Sequence, residues 1–187
     1  MDRLKARLAS RNANKARELG RLLPNWRIEP LETDDYPPEV GTTYYENARE
    51  KALFGRTRAQ PDEWALGEDS GIEVAALGGL PGVQSARSGG DDPVGWLLEV
   101  LGGAEDRRAR YVSELVLVSP AGDELRGTGT LEGHIATKPR GTEGFGFDPI
   151  FVPTGEVRTV AELGNDWKRE NSHRAKAARA LLANLPD

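Results

Sequence analysis

The chain contains no cysteine, which excludes a disulfide framework and a thiolate-ligated metal. It contains no apolar run near the ~20 residues that span a bilayer. Its opening, MDRLKARLAS, alternates charge with small apolar residues and lacks the apolar stretch of an export signal. A cytoplasmic protein without a membrane partner is therefore expected. Basic excess is missing as well: the formal net charge is −5, where a broad phosphate-backbone footprint would need a basic face. A nucleic-acid polymer is thus not an expected partner. A small anionic ligand needs only a few local cations and stays open. No internal repeat or low-complexity linker interrupts the 187 residues, and that length predicts one domain, 1–187, with two lobes.

What is present reads as strands alternating with helices. Leu4, Ala6 and Leu8 alternate with Lys5 and Arg7 as a short strand with one wet face. Asn12 can cap a helix carrying Ala16, Leu19, Leu22 and Leu23 on one face, stopped by Pro24. After a Pro-, Asp- and Gly-rich loop at 32–42, a second helix is expected over roughly 43–59. Strand is expected at 64–66 and 72–76, on either side of a tight turn at Glu68–Gly71. Asp92-Pro93 opens a further helix that Gly102-Gly103 closes. Residues 109–120 and 124–135 read as two strands that can pair. Thr159 and Glu162 match a capping box, and Ser172 can cap a final helix. The order implies an α/β fold with a mixed sheet.

Four stretches carry chemistry, and each also has a plain structural reading. In SRNANK (10–15), a strand-to-helix turn with a Lys one turn in makes an anion site, or else an ordinary capped helix start. In PEVGTTYYENAREKA (38–52), Glu46 and Glu50 share a helix face, which is either a solvated acidic face or one facing something cationic. At Glu68-Asp69, two carboxylates approach a buried strand end and point to opposite sides. Such groups need a cation, a metal or donors. Asp69 is the better metal ligand or general base of the two, against the alternative of an Asx-type turn. In residues 144–177, Phe145 and Phe147 alternate with Gly, followed by Asp148 and then by Lys168, His173 and Arg174 at the start of the last helix. An aromatic platform beside polar edge-readers suits a nucleobase, whereas two core rings and a basic helix start are the ordinary reading.

Taken together, SRNANK (10–15), ENA (46–48), EDSG (68–71) with PGVQSAR (81–87), FGFDPIF (145–151), and Lys168 with SHR (172–174) resemble the inosine triphosphate pyrophosphatase family. Each motif is weak by itself, but five in order along nearly the whole chain are specific. Two positions depart from the family pattern: Phe147 stands where Tyr is usual, and Arg11 where Gly is common.

The resemblance implies a two-lobed mixed sheet with flanking helices, a ligand cleft between the lobes, and a homodimer. It implies Mg²⁺-dependent hydrolysis of non-standard purine triphosphates (ITP, dITP and XTP) to the monophosphate and pyrophosphate. Asp69 would bind metal and act on the attacking water, with Glu68 supporting the metal shell and Glu39 and Glu46 competing for the remaining ligand place. Substrate contacts would fall to Ser10, Arg11, Asn12, Ala13, Asn14, Lys15, Ser70, Phe145, Gly146, Phe147, Asp148, Lys168, His173 and Arg174, with Phe147 expected against the base. A non-catalytic purine-triphosphate sensor is the rival from another class, and the intact EDSG disfavours it. A pyrophosphatase for modified pyrimidine triphosphates is the closer rival; SHR and FGFD favour purines.

Overall fold

The computed structural model describes residues 4–185. The elements run β1 (Leu4–Leu8), α1 (Ala13–Leu22), β2 (Trp26–Pro30), α2 (Tyr44–Arg56), β3 (Trp64–Val74), α3 (Pro93–Leu101), β4 (Arg108–Val118), β5 (Glu124–Ile135), β6 (Phe151–Pro153), α4 (Val160–Asn171) and α5 (His173–Ala183). The sheet order is β2-β1-β3-β4-β5-β6. β1 pairs parallel with both β2 and β3, and β5 pairs antiparallel with β6, so the sheet is mixed as expected.

The chain divides into two compact units. The first comprises the residues up to Asp69, Ser113–Gly129 and those from Arg174 onward; the second comprises Ser70–Val112 and Thr130–His173. In the first unit, Leu8, Leu19, Trp26, Leu66, Leu115 and Leu181 are buried in one cluster. Asn12 caps α1 as expected, its Oδ1 accepting the Asn14 and Lys15 amides at 3.0 and 3.2 Å. β1 is half in: Ala6 and Leu8 are buried while Leu4 is exposed. α2 stops at Arg56, short of the expected 59, with Thr57 as its C-cap.

The second unit has its own core around Ile72, Leu97, Tyr111, Ile135, Phe147 and Phe151. Asp92 caps α3 with Pro93 in its first turn, and Thr159 and Glu162 form the expected capping box of α4.

One expectation is corrected. Residues 68–71 do not turn: β3 runs unbroken from Trp64 to Val74 and is buried along almost its whole length. Ser and Gly fit a strand as well as a turn, and both carboxylates find cationic and hydrogen-bonding partners inside the protein, so no excursion to solvent is needed. Gly67 permits this. A Cβ there would overlap the Ala48 carbonyl oxygen and the Ala52 nitrogen of α2, so the strand and helix backbones meet directly.

Gly67→Ala must push β3 and α2 apart, and over-packing of this kind costs about 1–3 kcal/mol. Gly20, where an added Cβ meets nothing within 4 Å, is the control. In α1, Gly20→Ala should be neutral or stabilising by up to ~1 kcal/mol. Denaturant midpoints of the two variants check this.

Candidate active site

Successive residues of a strand face opposite ways, and the first unit uses this at Glu68 and Asp69. Glu68 is fully buried. Its Oε2 lies 2.6 Å from Lys15 Nζ, and its Oε1 accepts from Arg174 Nε at 2.9 Å and from the Ser113 hydroxyl at 3.4 Å. Arg174 Nη1 also donates to Glu18 Oε2 at 3.0 Å. Burial alone would raise the Glu68 carboxyl, but the Lys15 and Arg174 charges outweigh it and hold it well below the ordinary carboxylate range.

Asp69 sits in a second set of partners. Its Oδ1 accepts from Lys51 Nζ at 3.0 Å and its Oδ2 from Asn47 Nδ2 at 3.1 Å. Lys51 also donates to the Glu68 carbonyl at 3.2 Å and pairs with Glu39. Burial pushes the Asp69 carboxyl up, outweighing the Lys51 and Lys15 charges, and neighbouring Glu68 adds to the rise. For Lys51, burial acts to lower the ammonium, but Asp69 and Glu39 together overcome it and the net direction is up. The two directions are compatible: one ammonium answers two carboxylates, so it is well paired and each carboxylate only partly so.

This arrangement bears on the metal. Glu39 and Asp69 both bring oxygens to one positive charge, the Lys51 ammonium. Mg²⁺ takes one or two carboxylates and keeps waters or substrate phosphates for its other places, so this donor set fits it. Among the described residues no three His, Cys, Asp or Glu side chains gather as a metal site, so the fit is with two protein carboxylates and not a closed cage.

Two of the expected metal ligands have other partners here. Glu46 folds back on its own helix start: its Oε2 accepts the Thr42 amide at 2.7 Å, the Thr42 hydroxyl at 2.9 Å and the Thr43 amide at 3.1 Å. Those bonds, the Thr42 hydroxyl first, lower its pKa. Glu46 is a capping residue, written in the sequence as Thr43-x-x-Glu46. Glu68 has a cation on each of its oxygens, Lys15 on Oε2 and Arg174 on Oε1.

At the start of α1, only Lys15 is drawn into the cluster. The Asn14 and Lys15 amides are taken by the Asn12 cap, so fewer N–H groups face an anion than the motif suggested. Ser10 Oγ accepts the Asn12 amide at 3.1 Å. Arg11 donates to the Asp34 carbonyl and lies over the Tyr36 ring. Ala13 and Asn14 are exposed, and Asn14 accepts from Arg17.

The second unit holds the remaining chemistry around Asp148, which is buried. Its Oδ2 accepts from Lys168 Nζ at 2.8 Å and the Phe145 amide at 2.9 Å, and its Oδ1 from the Tyr111 hydroxyl at 3.3 Å. Lys168 Nζ also lies 4.6 Å from the centre of the Phe145 ring. The Tyr111 ring stacks on His173, with centroids 4.5 Å apart and planes at 14°. Gly144 has a φ of 81°, and a Cβ there would strike the Asp148 carboxylate; no other residue suits that position. Ser70 follows Asp69 in β3 and is buried.

Two expectations change here. Phe147 is 6% exposed and packs in the core, whereas Phe145 is only half-buried and Gly146 beside it is exposed. The ring available to a planar ligand is therefore Phe145. Lys168, His173 and Arg174 do not act as one group: Lys168 belongs to the last turn of α4, and Arg174, one residue past His173 on α5, points to Glu68 and Glu18. Sequence reasoning missed Glu18, Tyr111 and the joint hold of Asn47 and Lys51 on Asp69. The last was readable, since residues four apart on a helix share a face; for Tyr111 no local signal exists.

The sequence profile of the Ham1 family matches residues 6–184. The chain belongs to the Ham1 family. A dITP/XTP pyrophosphatase of Symbiobacterium thermophilum is 46% identical over 187 residues, covering 96% of this chain and 93% of its own. Among solved structures, the Ham1 protein of Staphylococcus aureus is 33% identical with a TM-score of 0.83, covering 96% of both chains. A dITP/XTP pyrophosphatase of Mycobacterium abscessus is 40% identical with a TM-score of 0.73, covering 98% of both. Ham1 membership agrees with the resemblance read from the motifs, and with the mixed-sheet α/β fold.

Glu68 tests the first cluster. Its folded-state pKa lies below its ordinary value of 4.5, so its ionisation stabilises the fold fully above that pH. The contribution is lost as pH falls further. Glu68→Gln leaves Lys15 and Arg174 without their shared anion and should cost about 3–5 kcal/mol at neutral pH, the scale for a broken buried pair. Urea titrations from pH 7 to pH 3 should show a shallower acid decline in the variant than in the wild type.

Proposed function

We propose that the chain hydrolyses ITP, dITP and XTP to the nucleoside monophosphate and pyrophosphate, clearing non-standard purines from the nucleotide pool. The observation that carries this reading is Asp69, a buried carboxylate oriented by Lys51 and Asn47 whose proton affinity burial has raised. Relatives named dITP/XTP pyrophosphatase, matching along almost the full chain, support the substrate class.

A carboxylate with raised proton affinity is suited to accept a proton at neutral pH. Asp69 takes one from water, whose oxygen bonds to the α-phosphorus. The bond from that phosphorus to the α,β-bridging oxygen breaks, and pyrophosphate leaves with the electron pair. Asp69 and Glu39 would hold Mg²⁺, which when bound supplies positive charge to the triphosphate oxygens. Lys51 keeps the two carboxylates together by pairing with both. Lys15, with the Ser10–Asn12 turn and the exposed Ala13 and Asn14, takes phosphate. Arg174 shares Glu68 with Lys15, which favours phosphate over base as its target. Ser70 is the substrate contact next to Asp69. Phe145 offers the base its stacking face, and Lys168 and Asp148 hold that ring's loop in place while His173 reads the base edge. The same reading includes a homodimer in the cytoplasm; no described helix is long and apolar enough to cross a membrane.

Asp69→Asn should leave folding intact and lower kcat for ITP with Mg²⁺ by about 10²–10⁴, the scale of a lost general base. Monophosphate and pyrophosphate are measured together, so that release of inorganic phosphate by another route is recognised. Turnover near that of the wild type would remove Asp69 from the chemistry.

The two rings make opposite predictions. Phe145→Ala should weaken all purine triphosphates together by about 1–3 kcal/mol, because stacking senses a π-face and not its substituents. Phe147→Ala should instead lower the melting temperature, as a core truncation costing about 3–5 kcal/mol. KM across ITP, XTP, GTP and ATP, with thermal unfolding alongside, separates them.

A further inference from the structure

We propose that Tyr111 is a positioning residue for purine recognition, setting the plane of His173 with its ring and the Phe145–Asp148 loop with its hydroxyl. This rests on the substrate class proposed above. Tyr111 lies in the second unit on β4, a buried strand whose side chains have little freedom. Its ring is fixed from below by Phe151, which is fully buried; their centroids are 4.4 Å apart at 38°. The near-parallel stack on His173 then passes that constraint to an imidazole at the first position of α5. An imidazole can read a base edge only if its N–H and lone pair point along fixed directions. A helix fixes its backbone but leaves rotation about the side-chain bonds, and the stack removes that rotation.

The hydroxyl acts on a different group. It donates to Asp148 Oδ1, while Oδ2 of the same carboxylate holds Lys168 and the Phe145 amide. Two Asp148 rotations are thereby stopped, one at each oxygen, and with them the half-exposed Phe145 ring that follows Gly144. One core tyrosine thus ties an edge-reading group to a stacking platform, with no ligand contact required of it.

The two arms separate by substitution. Tyr111→Phe keeps the stack and loses the hydroxyl; Tyr111→Leu fills part of the volume and loses both. A stacked aromatic pair accounts for roughly two- to tenfold. With Mg²⁺ present, Tyr111→Leu should raise KM for ITP by about that factor, leave kcat within about twofold, and lower the ITP-over-GTP ratio of kcat/KM. Tyr111→Phe should raise KM for all purine triphosphates a few-fold and keep the ratio. A readout independent of turnover is the imidazole NMR signal of His173. The chain has two histidines, and His134→Gln assigns it. Its ring-current displacement should persist in Tyr111→Phe and vanish in Tyr111→Leu.

An unchanged KM and ITP-over-GTP ratio in Tyr111→Leu, with only a lower melting temperature, overturns the proposal. If Tyr111→Leu does not fold, Tyr111→Phe decides: unchanged KM for every purine triphosphate overturns the hydroxyl arm. A wild-type protein that releases no pyrophosphate from ITP defeats the proposed function instead. The positioning claim is then judged on the His173 signal alone, and an undisplaced signal in the wild type overturns it.

Discussion

Two adjacent carboxylates inside a buried strand set the terms for the first unit. Alternation along β3 sends Glu68 and Asp69 to opposite faces, so each side chain has its own direct cation partner, although Lys15 and Lys51 each also act on the other carboxyl at longer range. Each face must supply its own partner or bear the desolvation of a bare charge, which runs to several kcal/mol even after relaxation. α1 and α5 answer on one side with Lys15 and Arg174; α2 answers on the other with Lys51 and Asn47. The α2 response depends on distance, because a side chain amide as short as that of Asn47 reaches Asp69 only if the helix lies directly on the strand. Gly67, Ala48 and Ala52 provide that approach, since each leaves little or nothing between the two backbones. Helix placement and carboxylate chemistry are therefore one requirement.

The second unit solves a similar problem by a different means. Asp148 is one buried carboxylate in a loop, with a Lys, a backbone amide and a phenol around it. A loop has no ladder to fix it, and the multiple bonds to one side chain substitute for the ladder. Lys168 serves twice, as counter-ion to Asp148 and as the cation over the Phe145 ring. That double duty is why a Lys at the end of α4, not at the start of α5, belongs to this cluster.

Much of this was legible in the sequence, and the reasons for the failures are physical. Element order, the Asn12 cap, the Asp92-Pro93 helix start and the Thr159–Glu162 capping box are local signals, and each appears where its residues stand. The family could be read because five short motifs kept their order. Residues 68–71 were misread as a turn because Asp, Ser and Gly are turn formers only while their polar groups lack other partners; here the partners lie at 15, 47, 51 and 174. Phe145 and Phe147 cannot be ranked from sequence, since two rings flanking one glycine look alike until the core has claimed one of them. Glu46 carries the charge of a ligand, but its capping pattern with Thr43 commits that carboxylate to local hydrogen bonds.

The division of labour between Glu68 and Asp69 follows from counting charges around each. Both are acids of similar intrinsic strength, both are buried, and they are neighbours in the chain. Glu68 has two cations directly on its oxygens and no second carboxylate competing for either of them within the cluster except Glu18 at the far side of Arg174. It is over-compensated, stays ionised, and is poorly suited to accept a proton. Asp69 has one ammonium on its oxygens, which it divides with Glu39; Lys15 adds a further positive charge and Glu68 a negative one. Its ionised form is under-compensated, and burial decides the direction. Environments that push two like groups apart assign their roles: Glu68 holds Lys15 and Arg174 in place, and Asp69 is left able to take up positive charge. Reversing the two residues in sequence would leave the two cations at position 68 and the shared ammonium at position 69, but the chain length of Glu against Asp would no longer match either set of partners.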